Sequence, residues 1–335
     1  GDSVYVNTSS LRYRTSAQIK DNNIAGNLSY GQKLERVGTS GQWTMILLNG
    51  KKYYVSSAYV TSKKPASAGA VQTTSQTAAG AQTSGGTAIA LSSNYKYANY
   101  SKINSGTASL YRSTASNKKN KVVCVNAGHG TNGGGSVKTQ CHPDGSAKVT
   151  GGTTGAGATS AVAVSSGMTF ADGTAESKVT LAMAKVLKTK LLNAGYDVLM
   201  IRESDDVQLD NIARTVIANN NADCHIALHW DSTSSNKGAF FMSVPSNATY
   251  RAMEPVASHW KQHNQLGESL ISGLKSAGVK IYSKGSMEMD LTQTSYSTIP
   301  SVDIELGDKA SDHSQSTLNQ LGDGLVAGVK AYFGQ

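Results

Sequence analysis

Two histidines and two glutamates stand where side chains can do chemistry. His129 follows a short apolar run in Asn126-Ala127-Gly128-His129-Gly130, and His229 closes another in His225-Ile226-Ala227-Leu228-His229-Trp230-Asp231-Ser232. Glu305 lies near the end of Pro300-Ser301-Val302-Asp303-Ile304-Glu305-Leu306-Gly307, and Glu176 opens a helical pattern in Thr174-Ala175-Glu176-Ser177. Imidazoles and carboxylates can ligate a divalent metal or carry protons. Taken singly, each also has a plainer role. A glutamate in a first helical turn gains roughly 0.3–1 kcal/mol from the helix dipole, and a strand-end histidine serves as a hydrogen-bonded structural residue. Glu305 fits the plain role poorly, because an unpaired carboxylate at the end of a Val/Ile/Leu strand is costly unless a charged or hydrogen-bonding group meets it.

The remaining histidines rank lower. His142, in Cys141-His142-Pro143-Asp144, belongs to a long loop and is retained as a candidate substrate contact. His225 shares a strand with His229, where a four-residue spacing does not create the common helical face of a metal-binding His-x-x-x-His pair. His259, His263 and His313 read as surface or helix-face residues.

From Val122 onward, short apolar runs alternate with helical periodicity. Strands are expected at 122–126, 196–201, 224–228, 279–282 and 301–306. A helix beginning near Ser177 carries Val179, Met183, Val186 and Leu191 on one stripe and stops at Gly195. Further helices carry Leu209 to Ile217, Met253 to Leu274, and Leu318 to Phe333. This alternation predicts an α/β fold with an open, mostly parallel twisted sheet covered by helices on both faces. Reactive groups gather at the carboxyl ends of strands in such sheets, where His129, His229 and Glu305 fall. Residues 130–173 form a long Gly/Thr/Ser/Ala insertion that fits neither period, so it is a small hairpin excursion or the rim of a groove.

The 335 residues suit two unequal domains and a linker. The net charge of +9 divides into +5 over 1–63, +7 over 64–121 and −3 over 122–335, so the basic front is the expected contact with a polyanion. Its lysines are scattered singly, without a recognition helix or stacking strand, which argues against nucleic acid. No run of about 18 apolar residues occurs, so no membrane-spanning helix is expected. Cys124, Cys141 and Cys224 lack a C-x-x-C spacing and cannot all pair with one another; Cys124 and Cys224 read as buried free thiols.

Residues 1–63 alternate in short segments. Asn49-Gly50 supplies a tight hairpin turn, and five strands in so short a span predict a small all-β barrel. Leu11-Arg12-Tyr13-Arg14, Ser29 to Leu34, Gly41-Gln42-Trp43 and Tyr54 to Val60 resemble a bacterial SH3 (SH3b) domain. That resemblance implies binding to the cell wall, with Trp43 and Tyr54 serving as core or as contact residues. Residues 64–92, nearly all Ala, Ser, Thr, Gly and Gln, are expected to be a flexible linker. Residues 93–121 are a basic lead-in packed on the second domain, which spans 93–335.

Across about residues 121–335 the ordered segments resemble the zinc N-acetylmuramoyl-L-alanine amidases, the amidase type 3 family. They are Val125 to Gly130, Glu176 with its helix, Gly195 to Val198 running to Arg202, Leu209 with Arg214, Ala218-Asn219, Ala222-Asp223, the His229 motif, and Ile299-Pro300 leading to Glu305-Leu306-Gly307. The resemblance implies that His129, Glu176 and His229 ligate one Zn²⁺ with a fourth position open for water, and that Glu305 is the catalytic acid/base. Arg214 and Trp230 join His142 as expected substrate contacts. The implied partners are peptidoglycan and anionic wall polymers, and the implied location is secreted, at the cell wall. Asn126-Ala127 replaces the usual Asp-Pro before Gly-His, Trp230 replaces a small residue, and Gly307-Asp308-Lys309-Ala310 replaces an aromatic, Asn-containing run. These departures admit two alternatives: a non-catalytic wall-binding protein with a degenerate amidase fold, or a zinc endopeptidase acting within the stem peptide.

Overall fold

The alternation and turn chemistry of the sequence resolve, in a computed structural model, into two compact units, Gly1–Ala78 and Ala79–Gln335. The residues described are 1–7, 10–18, 20–29, 31–64 and 85–335. Most of the expected linker, residues 65–84, lies outside them.

The described residues of the first unit form an antiparallel sheet of seven strands rather than five. They are β1 (Asp2–Val6), β2 (Ser10–Arg14), β3 (Ile24–Ser29), β4 (Lys33–Ser40), β5 (Trp43–Leu48), β6 (Lys51–Ser56) and β7 (Val60–Thr61), in the order β3-β2-β6-β5-β4-β1-β7. Asn49 and Gly50 both take positive φ, 50° and 76°, and close the β5–β6 hairpin with Leu48 opposite Lys51. Val4, Val6, Leu11, Leu28, Leu34, Ile46 and Val55 form its core. Ile46 and Val55 point inward, so by alternation Trp43 and Tyr54 lie on the other face of β5 and β6, half-buried and outside that core.

The second unit contains the strands β8 (Thr87–Ala90), β9 (Thr107–Tyr111), β10 (Val122–Ala127), β11 (Lys138–Gln140), β12 (Ser160–Val162), β13 (Asp197–Met200), β14 (Cys224–Asp231), β15 (Ala239–Ser243), β16 (Ile281–Glu288) and β17 (Ser301–Asp308). Its helices are α1 (Glu176–Asn193), α2 (Asn211–Asn221), α3 (Ala248–Ala252), α4 (Val256–Ser276), α5 (Thr292–Tyr296) and α6 (Gln315–Phe333). The main sheet runs β16-β15-β17-β14-β10-β13-β9-β8. The expectation of a mostly parallel sheet needs correcting to a mixed one. The central strands β17, β14, β10 and β13 are mutually parallel, but β9 is antiparallel to β13, β8 to β9, and β15 to β17. The expected linker is also too long, because Thr87–Ala90 pairs with β9 as an edge strand. Sheet pairing recruits these residues, which have almost no apolar pattern of their own.

Strand alternation sorts the two faces. Val123, Val125, Ile226, Leu228, Val302 and Ile304 pack with Val179, Met183, Leu187 and Leu191 of α1 and with leucines of α4 and α6. Where α4 crosses α6, Gly273 meets Gly324 and Gly328 so closely that a Cβ would lie 2.2 Å from the Gly324 carbonyl oxygen. On the opposite face Cys124, Leu199 and Ile201 pack against Ala213 and Ile217 of α2. By the same alternation Asn126, His225, His229, Asp303 and Glu305 share that second face. Within the insertion, β11 and β12 form an antiparallel hairpin.

Candidate metal centre

Three donors meet above the carboxyl ends of β10 and β14. His129 lies two residues past β10 with φ of 64°, a left-handed conformation that turns its ring back over the sheet; Gly130 follows with φ of 77°. Two buried guanidiniums hold this turn. Arg214 donates to the carbonyls of Leu209, Ala127 and His129, to Asn126 Oδ1 and to Thr131 Oγ1. Arg202 donates to the carbonyls of Ala127, Gly128, Ser177 and Ser204. Gly128 must lack a side chain, because a Cβ there would sit 2.2 Å from His229 Cε1.

His129 Nε2 is 3.0 Å from Glu176 Oε2 and 3.1 Å from His229 Nδ1, and His229 Nδ1 is 3.3 Å from Glu176 Oε1. All three donors lie within 4.8 Å of one another. Ligand distances of about 2.0–2.2 Å around a tetrahedral zinc place donors about 3.3 Å apart, so this set fits the ion. Two of the three donors are aimed from behind. The carbonyl of Ser165 accepts from His129 Nδ1 at 2.8 Å, which leaves Nε2 to face the centre. Glu176 is 3% exposed, and its carboxylate accepts from the backbone N–H groups of Met168 (2.9 Å) and Trp230 (3.0 Å). Burial alone would raise the Glu176 pKa, but its bonds to His129 and His229 outweigh that and hold it well below the usual carboxylate range.

Glu305 lies beside His229 in the β14–β17 register, and Asp303 is two residues earlier on the same face. Asp303 Oδ2 is 3.7 Å from His229 Nε2, while Asp303 Oδ1 and Glu305 Oε2 are buried without a hydrogen-bond partner among the described residues. Burial raises both carboxyls, and the neighbouring Asp303 raises Glu305 further. Burial lowers the His229 imidazole, but Asp303, Glu176 and Glu305 outweigh this and carry it up to about 10. Two buried carboxyl oxygens left without a partner beside the donor set mark a site that a cation would complete. The residues open into a cleft of about 510 Å³, whose walls include Ser165 to Met168 and Gly152 to Thr154 of the insertion.

Other expected site residues serve differently. His142 is 1% exposed; its Nδ1 is 2.8 Å from Ser146 Oγ and its Nε2 is 2.8 Å from Asp290, so both ring nitrogens are engaged and it anchors a loop. Arg214 is fully buried with all five of its donors used, which leaves none for a substrate. Trp230 is a core side chain packed on Phe170, and its contribution to the centre is its backbone N–H. His263, expected at a surface or helix face, is buried and accepts from the Ser301 N–H. Asn126, in place of an aspartate, accepts from Arg214 and lies 3.1 Å from His225 Nε2. The orientation of His129 passes instead to Ser165. Asp303 was legible through the period-two spacing to Glu305. Met168 acts through its backbone N–H, and Ser165 through its carbonyl with its hydroxyl 3.1 Å from His129 Nδ1; neither left a signal in the unpatterned insertion.

A family model described as N-acetylmuramoyl-L-alanine amidase matches residues 123–329, more than half of the chain and wholly within the second unit. The chain belongs to that family. The substrate class of this amidase is therefore peptidoglycan. Among solved structures, the N-acetylmuramyl-L-alanine amidase Ami1 from Mycobacterium smegmatis shares the fold, with a TM-score of 0.53 and 18% identity over 65% of this chain and 99% of that one. The apo form of Ami1 from Mycobacterium abscessus matches at TM-score 0.48 and 21% identity, over 64% and 98%. An N-acetylmuramoyl-L-alanine amidase from Clostridium difficile 630 matches at 0.46 and 18%, over 64% and 97%. No curated protein matches the sequence.

Proposed function

We propose that this amidase is a secreted, zinc-dependent enzyme that hydrolyses the amide between the lactyl group of N-acetylmuramic acid and the L-alanine of the stem peptide. The observation that carries this reading is the approach of His129 Nε2, the Glu176 carboxylate and His229 Nδ1 to 3.0–3.3 Å of one another, with Glu305 on the adjoining strand. Those three residues would hold one Zn²⁺, and the bound ion supplies Lewis-acid polarisation of the scissile carbonyl and acidifies water. Glu305 Oε2, buried and without a partner among the described residues, takes a proton from the attacking water and returns it to the departing amine. Burial raises this carboxyl above the usual carboxylate range, which favours its holding the proton between the two halves of that transfer.

Residues 1–63 would act as an SH3b wall-binding unit, with Trp43 and Tyr54 on one outward face and the basic front meeting anionic wall polymers. No helix among the described residues is long and apolar enough to cross a membrane.

Zinc analysis after chelation and add-back should give one ion per chain. Glu305→Gln should keep the metal and lose about 10²–10⁴ in rate. Mass spectrometry of digested muropeptides should show a newly freed L-alanine amino terminus. Full activity in Glu305→Gln, or cleavage only within the stem, would overturn the reading.

A further inference from the structure

The cleft that holds the candidate metal centre is bordered by one fully engaged arginine, Arg214, and by one cation, Lys148, with donors to spare. Lys148, from the insertion, lines the cleft and is 9% exposed. Its ammonium donates to the backbone carbonyl of Asp290, and no carboxylate among the described residues lies within ion-pair distance of it. The Asp290 carboxylate, which would be the natural counter-ion, is turned to His142 Nε2 and the Val149 N–H. The backbone of Lys148 is pinned as well, its N–H to the Ala158 carbonyl and its own carbonyl to the Gly157 N–H. An ammonium has three donors, and here only one has a partner among the described residues. A buried charge so incompletely matched is costly unless an anion completes it.

We propose that Lys148 is a specificity-determining residue that receives a carboxylate of the stem peptide. This rests on the reading of the site as an amidase centre and specifies what else the cleft recognises. The sugars of the substrate are uncharged, and the lactyl carboxyl is consumed in the scissile amide, so the negative charge resides on the peptide arm. An ammonium fixed in the same cleft as the donors therefore selects that arm by charge, and selects acidic stems over those whose carboxylates are amidated. Arg214 cannot substitute, because its five donors are spent around His129, and Arg202 is buried behind that turn, where it holds the Ala127 and Gly128 carbonyls.

The test compares N-acetylmuramoyl-L-alanyl-D-glutamic acid with its bis-carboxamide, using the full chain as wild type, Lys148→Met and Lys148→Arg. Wild type should favour the acid in kcat/KM by about tenfold, the worth of one charge-assisted hydrogen bond. Lys148→Met should bring the ratio close to one, and Lys148→Arg should restore most of it. A merely structural lysine would change both substrates together and leave the ratio alone. Lys148→Gln, which keeps a donor for the Asp290 carbonyl, replaces the Met variant if that variant does not fold. Equal use of both substrates by wild type, or a preference that survives neutralisation of Lys148, overturns the proposal and leaves the amidase reading standing. If neither substrate is cut at the lactyl amide, the amidase reading falls. Calorimetric binding of the same pair to Glu305→Gln, with and without Lys148→Met, then decides the lysine on its own.

Discussion

The carbonyl of Ser165 accepts a hydrogen bond from His129 Nδ1 at 2.8 Å, so a residue of the long insertion fixes which nitrogen of the first histidine faces the candidate metal. The insertion also supplies the Met168 N–H to Glu176. Two of the three donors are thus oriented by a segment with no regular pattern in sequence.

Gly167 tests that arrangement. Its φ is +81°, and a Cβ there would lie 2.8 Å from His129 Cδ2 and 2.9 Å from Glu176 Oε2. Gly167→Ala should weaken zinc binding by about 10–100-fold, the usual cost of disturbing the groups that orient metal ligands. Chelator-competition titration measures this, with Gly151→Ala as the control because its Cβ would meet nothing within 4 Å. Equal affinity in the two variants would refute the bracing role.

Asp303 raises the Glu305 carboxyl by charge repulsion, after burial. Asp303→Asn removes the repulsion and lowers the Glu305 pKa, so the proton-accepting form persists to more acidic pH. The acid limb of the kcat/KM profile should therefore move to lower pH. A limb that stays in place or moves upward would show that Asp303 does not tune Glu305.

Asp290 joins the insertion to the loop before α5 by accepting from His142 Nε2 and the Val149 N–H. Asp290→Ala leaves both without a buried acceptor, at about 1–3 kcal/mol for each unsatisfied group. The melting temperature should fall, and limited proteolysis should cut between residues 141 and 160 before any other part of the second unit. An unchanged cleavage map would argue that the hairpin β11–β12 holds the insertion without it.

Acid should destabilise the second unit through its buried neutral histidines. Burial, then Arg214, takes His225 down to about 3, and burial, then His259, takes His263 to about 3. Both folded values lie below the unfolded value near 6.5, so between those limits the unfolded chain binds more protons and stability falls as pH falls. Each histidine contributes roughly 1.4 kcal/mol per pH unit across that window. Denaturant unfolding of His225→Gln between pH 4 and 6 should show a slope shallower by about that amount; an identical slope would mean that His225 titrates normally in the fold.

The positions able to do chemistry were legible in the chain itself. His129, His229 and Glu305 end runs whose apolar alternation marks them as buried strands, and Glu176 opens a helix whose stripe is equally plain; both patterns are local, so they survive in one dimension. Asp303 could be read from the same alternation. The tertiary structure alone decided that Arg214 and His142 are fasteners, because a side chain's freedom to meet substrate depends on how many of its donors the rest of the fold has taken. It alone decided that Thr87–Ala90 joins the main sheet, since strand pairing is a non-local agreement that a weakly patterned edge segment cannot announce. It also gave the insertion its task. Ser165 and Met168 orient donors chiefly through a backbone carbonyl and a backbone N–H, groups that carry no mark in the sequence, and Lys148 stands out only because no carboxylate among the described residues was folded against it.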